Sequence, residues 1–182
     1  DGVQKDLHDP IMQDSSVSII TIDSEEGLEI MRHTLTAQVL ARAVKNLYPK
    51  SKLAIGPTIK DGFYYDVECD ETISVDDLKN IEKEMDKIVK TKSSITKKLL
   101  SKKDALKVFK DKDESYKEEI INDSDQEDKF QLYYQDDEDF VDLCKGPHLP
   151  SLNFIGAYKL TTISGAYWKG DSNNTMLTRI YG

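Results

Sequence analysis

The stretch from Ser24 to Pro49 limits the fold more than any other part of this chain. Ser24 can cap a helix, and Glu25 and Glu26 put negative charge in its first turn, where the helix dipole favours it. Leu28, Met31, Leu35, Val39, Leu40, Ala43, Val44 and Leu47 then recur at helical spacing until Pro49 stops the run. The apolar stripe is wide, so the pattern predicts one long core helix that other elements cover on more than one side.

The covering elements can be read from their own periodicities. Leu53-Ala54-Ile55 and Gly62 to Val67 read as strands, punctuated by Gly56-Pro57 and Asp61-Gly62. Ser74 to Asp77 gives a capping-box signal ahead of a helix carrying Leu78, Ile81, Met85, Ile88 and Val89. Ser94 to Leu100 reads as a strand, Ser101 with Asp104 caps a short helix through Phe109, and a further helix runs from Glu114 to Asn122. Phe130 to Tyr134, Phe140 to Leu143, Tyr158 to Ile163, Ala166 to Trp168 and Met176 to Tyr181 read as strands between turns. The fold class is therefore α+β, an antiparallel sheet packed against a long core helix and shorter helices. Val17 to Ile22 adds a short β-type remnant at the N-terminal end. Asp136-Asp137-Glu138-Asp139 reads as a solvated turn rather than a metal site.

Charge and cysteine usage exclude several function classes. The net charge of −9 argues against a stand-alone nucleic-acid binder, because phosphate neutralisation needs Lys and Arg on a shared face. No run approaches the roughly 20 apolar residues of a membrane-spanning helix. Cys69 and Cys144 are the two cysteines, which points to a reduced, cytoplasmic chain rather than a disulfide framework. The start at Asp1, without Met, fits a piece trimmed from a longer protein.

There are three histidines, and they divide by context. His8 lies near the chain start and reads as a surface residue; His33 lies inside the core helix. His148 ends the turn Asp142-Leu143-Cys144-Lys145-Gly146-Pro147-His148, which follows a strand. Turns on a rigid scaffold often present reactive groups, so spacing alone leaves both a site and a structural turn open here.

Several blocks follow one another in order: Arg32-His33, Ile55-Gly56-Pro57, Asp61 to Asp66, Ser115-Tyr116-Lys117, Val141 to Pro150, and Gly165 to Asn174. Together they resemble the amino-terminal editing domain of bacterial-type threonyl-tRNA synthetase, a relative of the alanyl-tRNA synthetase editing domain. The resemblance assigns residues 1–23 to the tail of a small TGS-like domain and 24–182 to the editing domain. It implies hydrolysis of the ester that joins serine to the terminal adenosine of threonine tRNA, so the expected partner is the tRNA(Thr) acceptor end carrying serine. His33 then positions water and the terminal ribose, and Lys117 contacts the reacting ester. Tyr64 lies near the adenosine, with Tyr65 in its place if the register shifts by one. Asp142 and Cys144 line the amino-acid pocket, and His148 completes the cluster. A covalent role for Cys144 is not expected, because no activating His–Asp arrangement is evident.

The same resemblance implies no cofactor in this stretch, with ATP, magnesium and zinc confined to an aminoacylation core. It also implies no membrane contact, a homodimeric parent and a monomeric fragment. One position departs from the family pattern, which has a His-x-x-x-His pair on the core helix: His33 is followed by Ala37. That leaves two alternatives beside the hydrolase. One is a weakened domain that binds the acceptor end or spaces its neighbours. The other is a zinc-dependent hydrolase of alanyl type using His33, Cys144 and His148.

Overall fold

A computed structural model describes residues 2–136 and 140–182 of the chain. The long helix forms where its apolar stripe predicts, but it is not one uniform helix. Helix α1 (Glu25–Thr34) passes into a π-turn over Leu35–Leu40 and continues as α2 (Ala41–Leu47). Ser24 caps α1, its side chain accepting from the Gly27 N–H. The predicted continuous helix is corrected here: within the π-turn the Ala41 N–H reaches back five residues to the Thr36 carbonyl. The periodic apolar pattern cannot reveal such a bulge, because one extra residue is absorbed locally without breaking the stripe.

Strands β1 (Lys52–Leu53), β2 (Thr58–Ile59) and β3 (Gly62–Glu68) come next, then α3 (Leu78–Lys90) and β4 (Ile95–Leu100). Helices α4 (Lys102–Asp111) and α5 (Ser115–Asn122) lead into β5 (Phe130–Gln135) and β6 (Val141–Leu143). The chain closes with β7 (Thr162–Tyr167) and β8 (Met176–Tyr181). Among the described residues all pairings are antiparallel, and they make two sheets rather than one: β1-β3-β8-β7 with β2 on β3, and β4-β5-β6.

Four strand assignments differ from the sequence reading, the first being Leu53 to Ile55, where the strand covers only Lys52–Leu53. Val17 to Ile22 forms no strand, for no strand among the described residues pairs with it. The strand expected at Tyr158 begins at Thr162, and the one expected at Ala166 is the end of that same strand. Trp168 falls in a tight 3-10 turn, with Lys169 at positive φ. Of the acidic turn, Asp136 is exposed and its carboxylate accepts from the Ser94 N–H; 137–139 lie outside the described residues.

The two sheets pack on different sides of the helices. The main core joins Val39, Leu40 and Val44 of the long helix to Tyr65 and Val67 of β3, Ile81 and Met85 of α3, and Ile180 of β8. A second cluster, Phe109, Ile121, Leu132 and Tyr134 among it, seals the other face of β5 against α4 and α5. Alternation along β5 therefore turns Leu132 and Tyr134 to that hairpin, and Tyr133 and Gln135 to the long helix. The polar side chains of the next section lie in this layer between the long helix and β6.

Candidate active site

The turn after β6 is shaped by a glycine. Gly146 has φ +64° and sits so close to Tyr133 that a Cβ would lie 1.9 Å from the phenol oxygen. Only glycine fits, and the turn carries Cys144 and His148 back to the N-terminal half of the long helix. There the Cys144 sulfur lies 3.0 Å from His33 Nε2, and the His33 and His148 rings stack with centroids 4.5 Å apart. The ligand atoms of His33, Cys144 and His148 all lie within 4.8 Å of one another.

Hydrogen-bond accounting assigns the tautomers of both rings. His33 Nδ1 faces the Pro147 carbonyl at 3.3 Å, and a carbonyl only accepts, so Nδ1 carries the proton. Its Nε2 is then a lone pair that accepts from the Cys144 thiol. Thr34 spends its hydroxyl proton on the Ile30 carbonyl at 2.8 Å, so the 3.1 Å contact with His148 Nδ1 must be donated by the ring. His148 Nε2 is thus a second lone pair, buried and without a partner among the described residues.

Burial keeps these groups uncharged. Desolvation lowers the His33 pKa, partly opposed by the Pro147 carbonyl, and lowers that of His148 further, with help from neighbouring His33. The Cys144 thiol is pushed up to about 12, chiefly by burial, so it is not poised as a thiolate nucleophile.

Two positions back along the strand, Asp142 anchors a different arrangement. Lys117 is 3% exposed and Asp142 2%, and they form an ion pair of 2.7 Å. Lys117 also donates to the Tyr65 hydroxyl at 3.1 Å, and that hydroxyl donates to Asp142 at 3.0 Å. Burial and Asp142 together raise the Tyr65 pKa well above its usual range, so the phenol stays protonated. The ring reaches this position because Gly56 leaves room: a Cβ there would meet the Tyr65 ring at 2.2 Å.

Tyr64 points to the opposite face of β3, as alternation requires. There it lies under the Arg179 guanidinium, whose carbon is 3.9 Å from the ring centroid, and beside Tyr181. The structure therefore brings His33, Cys144 and His148 together, and Lys117 with Asp142, but leaves Tyr64 apart and puts Tyr65 in the Lys117 cluster. Ala37 is buried at 3% exposure and adds no polar group.

A cavity of about 230 Å³ opens beside His33, lined also by Glu29, Ile30, Pro57, Thr58 and Pro147. Of the sequence-predicted residues, His33 alone lines it. The N-terminal segment borders it through Gln4, and Asp6 holds the same turn, accepting from the His148 N–H at 2.8 Å and the Tyr133 hydroxyl at 2.8 Å. Sequence reasoning missed Asp6, Thr34 and Tyr133, whose roles come from contacts across the fold rather than from any local pattern.

Comparison with known proteins bears directly on these residues. A family model described as the threonyl and alanyl tRNA synthetase second additional domain matches residues 131–181, the span that holds Asp142, Cys144 and His148. Over all 182 residues the chain is 50% identical to a threonine–tRNA ligase of Francisella philomiragia, and 48% identical to one of Legionella pneumophila. It is 47% identical over 177 residues to one of a Geobacillus species. The chain spans 28% of the length of the first two relatives and 27% of the third. Among the described residues, no helix is long and apolar enough to cross a membrane.

Proposed function

We propose that this second additional domain is the proofreading module of a threonine–tRNA ligase. In this reading it hydrolyses the ester that joins serine to the terminal ribose of wrongly charged tRNA(Thr). The observation that carries the reading is the pair of neutral imidazoles with Nε2 lone pairs, one of them at the wall of an open cavity.

The chemistry needs a positioned water, a base and a donor for the developing oxyanion. Water entering the cavity displaces the weak thiol donor from His33 Nε2 and gives that nitrogen a proton as its oxygen adds to the ester carbonyl carbon. The carbonyl electron pair moves onto oxygen. Collapse restores the double bond, breaks the bond to the ribose oxygen, and returns the proton from His33 to that leaving group. Serine and uncharged tRNA are the products. Lys117 supplies positive charge near the reacting ester, and Asp142, Cys144 and His148 shape the amino-acid pocket. Tyr64 serves the adenosine end, with Tyr65 the occupant of the inner site.

The selective advantage is a second sieve. One methyl group separates serine from threonine and is worth only about 1–3 kcal/mol in a single pocket. A hydrolytic pocket closed to the larger amino acid multiplies that discrimination. The ligation reaction, its ATP, magnesium and zinc, and the dimer contacts we assign to parts of such ligases other than these residues. The setting is cytoplasmic.

The test is deacylation of Ser-tRNA(Thr) and Thr-tRNA(Thr) by the purified chain. Serine release should exceed background, threonine should be spared, and His33→Ala should slow release about 100-fold. No release above background, with His33→Ala indistinguishable from wild type, rejects the hydrolase. If a seryl-adenosine mimic then raised the melting temperature without turnover, the domain would be a binding module, the outcome that Ala37 favours.

The mutual approach of His33, Cys144 and His148 favours a second reading, a metal-assisted hydrolase. Two imidazole nitrogens and a sulfur suit zinc, and with Ala37 in place of another donor they leave one position for water. Bound there, zinc would supply Lewis acidity to that water. Stoichiometric zinc in the purified chain, with loss of deacylation on chelation, would favour this reading over the metal-free one.

A further inference from the structure

The π-turn holds a polar side chain that neither the core nor the site described so far uses. Gln38 is fully buried in the middle of Leu35–Leu40, where a leucine would have packed without cost to hydrogen bonding. Its amide orientation is set by a chain of donors that starts on an arginine. Arg42 can only donate, so the oxygen of Gln135 must face Arg42 Nη1, at 2.7 Å. Gln135 Nε2 then donates to the Gln38 main-chain carbonyl at 2.7 Å and to Gln38 Oε1 at 3.3 Å. Gln38 is left presenting its amide NH2 away from this chain, buried and without a partner among the described residues.

Three buried side-chain atoms lack partners among the described residues: Gln38 Nε2, His148 Nε2 and Ser51 Oγ. Ser51 lies beyond the far end of α2. The other two are complementary. His148 Nε2 is an acceptor, and Gln38 Nε2 is a donor. Gln38 stands five residues beyond His33, in the segment that packs against β3, which carries Tyr65, and β6, which carries Asp142. π-Turns concentrate at functional sites because the local widening re-aims side chains. Lys117, the cation assigned to the ester, is already paired with Asp142 and bonded to Tyr65, which leaves a place for a second, neutral donor.

We propose that the Gln38 amide is the oxyanion donor of this site, giving a hydrogen bond to the ester carbonyl oxygen as it gains charge. The proposal rests on the deacylase reading and adds a neutral hydrogen-bond donor to the charge that Lys117 supplies there. An amide cannot act as base or acid here, so its contribution is confined to binding the transition state.

The experiment pairs Gln38→Met, similar in size but without a donor, with Gln38→His, which keeps an N–H. Single-turnover deacylation of Ser-tRNA(Thr), tRNA affinity and melting temperature are measured on the whole chain. Gln38→Met should lose about 100- to 1,000-fold in rate, the usual effect of removing an oxyanion donor. Its tRNA affinity should not change, and its melting temperature should hold or rise because an unpaired amide has been removed. Gln38→His should stay within about 10-fold of wild type, and it carries the test if Gln38→Met does not fold. A folded Gln38→Met within 3-fold of wild type, or an inactive folded Gln38→His, overturns the assignment. So does a rate loss that merely tracks a loss of stability. In all these outcomes wild type remains active; a silent wild type instead removes the deacylase reading itself.

Discussion

On one side of the strand end at Asp142–Cys144, Lys117, Asp142 and Tyr65 close a triangle in which each polar group meets another. On the other side, His33, Cys144 and His148 touch one another and still keep a lone pair unspent on His148 Nε2. The first cluster is buried and the second half-buried, with only His148 of its three residues enclosed, and the contrast follows from charge. A buried ion pair survives only if each charge is compensated, because stranding one of them in a dry interior is costly. Neutral imidazoles carry no such demand, so burial can lower their pKa and leave a nitrogen open for a proton, a water or a metal. The closed and the open cluster are therefore neighbours, joined by Asp142 on β6 and Cys144 just past its end.

The largest expected effect tests the closed cluster. Lys117→Met strands the Asp142 carboxylate and should cost about 3–5 kcal/mol in urea unfolding, with much of it restored by Lys117→Met combined with Asp142→Leu. A near-neutral single variant would mean that the triangle does not anchor the fold, and the contrast would collapse.

A smaller effect sharpens the open cluster. Because burial lowers both histidine pKa values, the folded chain binds fewer protons than the unfolded one near and below the ordinary value of about 6.5. Stability should then be lost as the pH falls below that value, by up to about 1.4 kcal/mol per pH unit for each histidine, and level off above it. Unfolding midpoints between pH 5 and 8, taken with a chelator present, measure this. A slope that survives replacement of both histidines by asparagine must come from elsewhere.

The smallest concerns Tyr64, on the outer face of β3. Tyr64→Leu removes its stacking with Arg179 and should cost about 0.5–1 kcal/mol in the same unfolding assay. It should leave the pH slope of the histidine cluster unchanged. A change in that slope would tie the two faces of β3 together.

Much of the fold was legible because its signals are local. Ser24 and Ser101 cap the helices they announce, and Ser74 with Asp77 forms a capping box. β3, β5 and β8 lie where alternation and turn residues put them. The division into two sheets was not legible, since pairing partners lie far apart in the chain and a strand pattern does not name its neighbour. The candidate site was half legible: the Asp142-to-His148 turn stands out on the sequence, whereas the meeting of Tyr65, rather than Tyr64, with Lys117 and Asp142 depends on which face of β3 turns inward.

By itself, the sequence determined where the capped helices and the strands β3, β5 and β8 lie and which turn carries Cys144 and His148, because caps, period and turn chemistry act within a few residues. Only the tertiary structure decided that the long helix bulges at Leu35–Leu40, that Lys117 is spent on Asp142, and which ring nitrogens carry protons. Those outcomes rest on hydrogen bonds between residues as many as 114 positions apart, as from His148 back to Thr34. A buried donor or acceptor takes its state from whatever the fold sets against it.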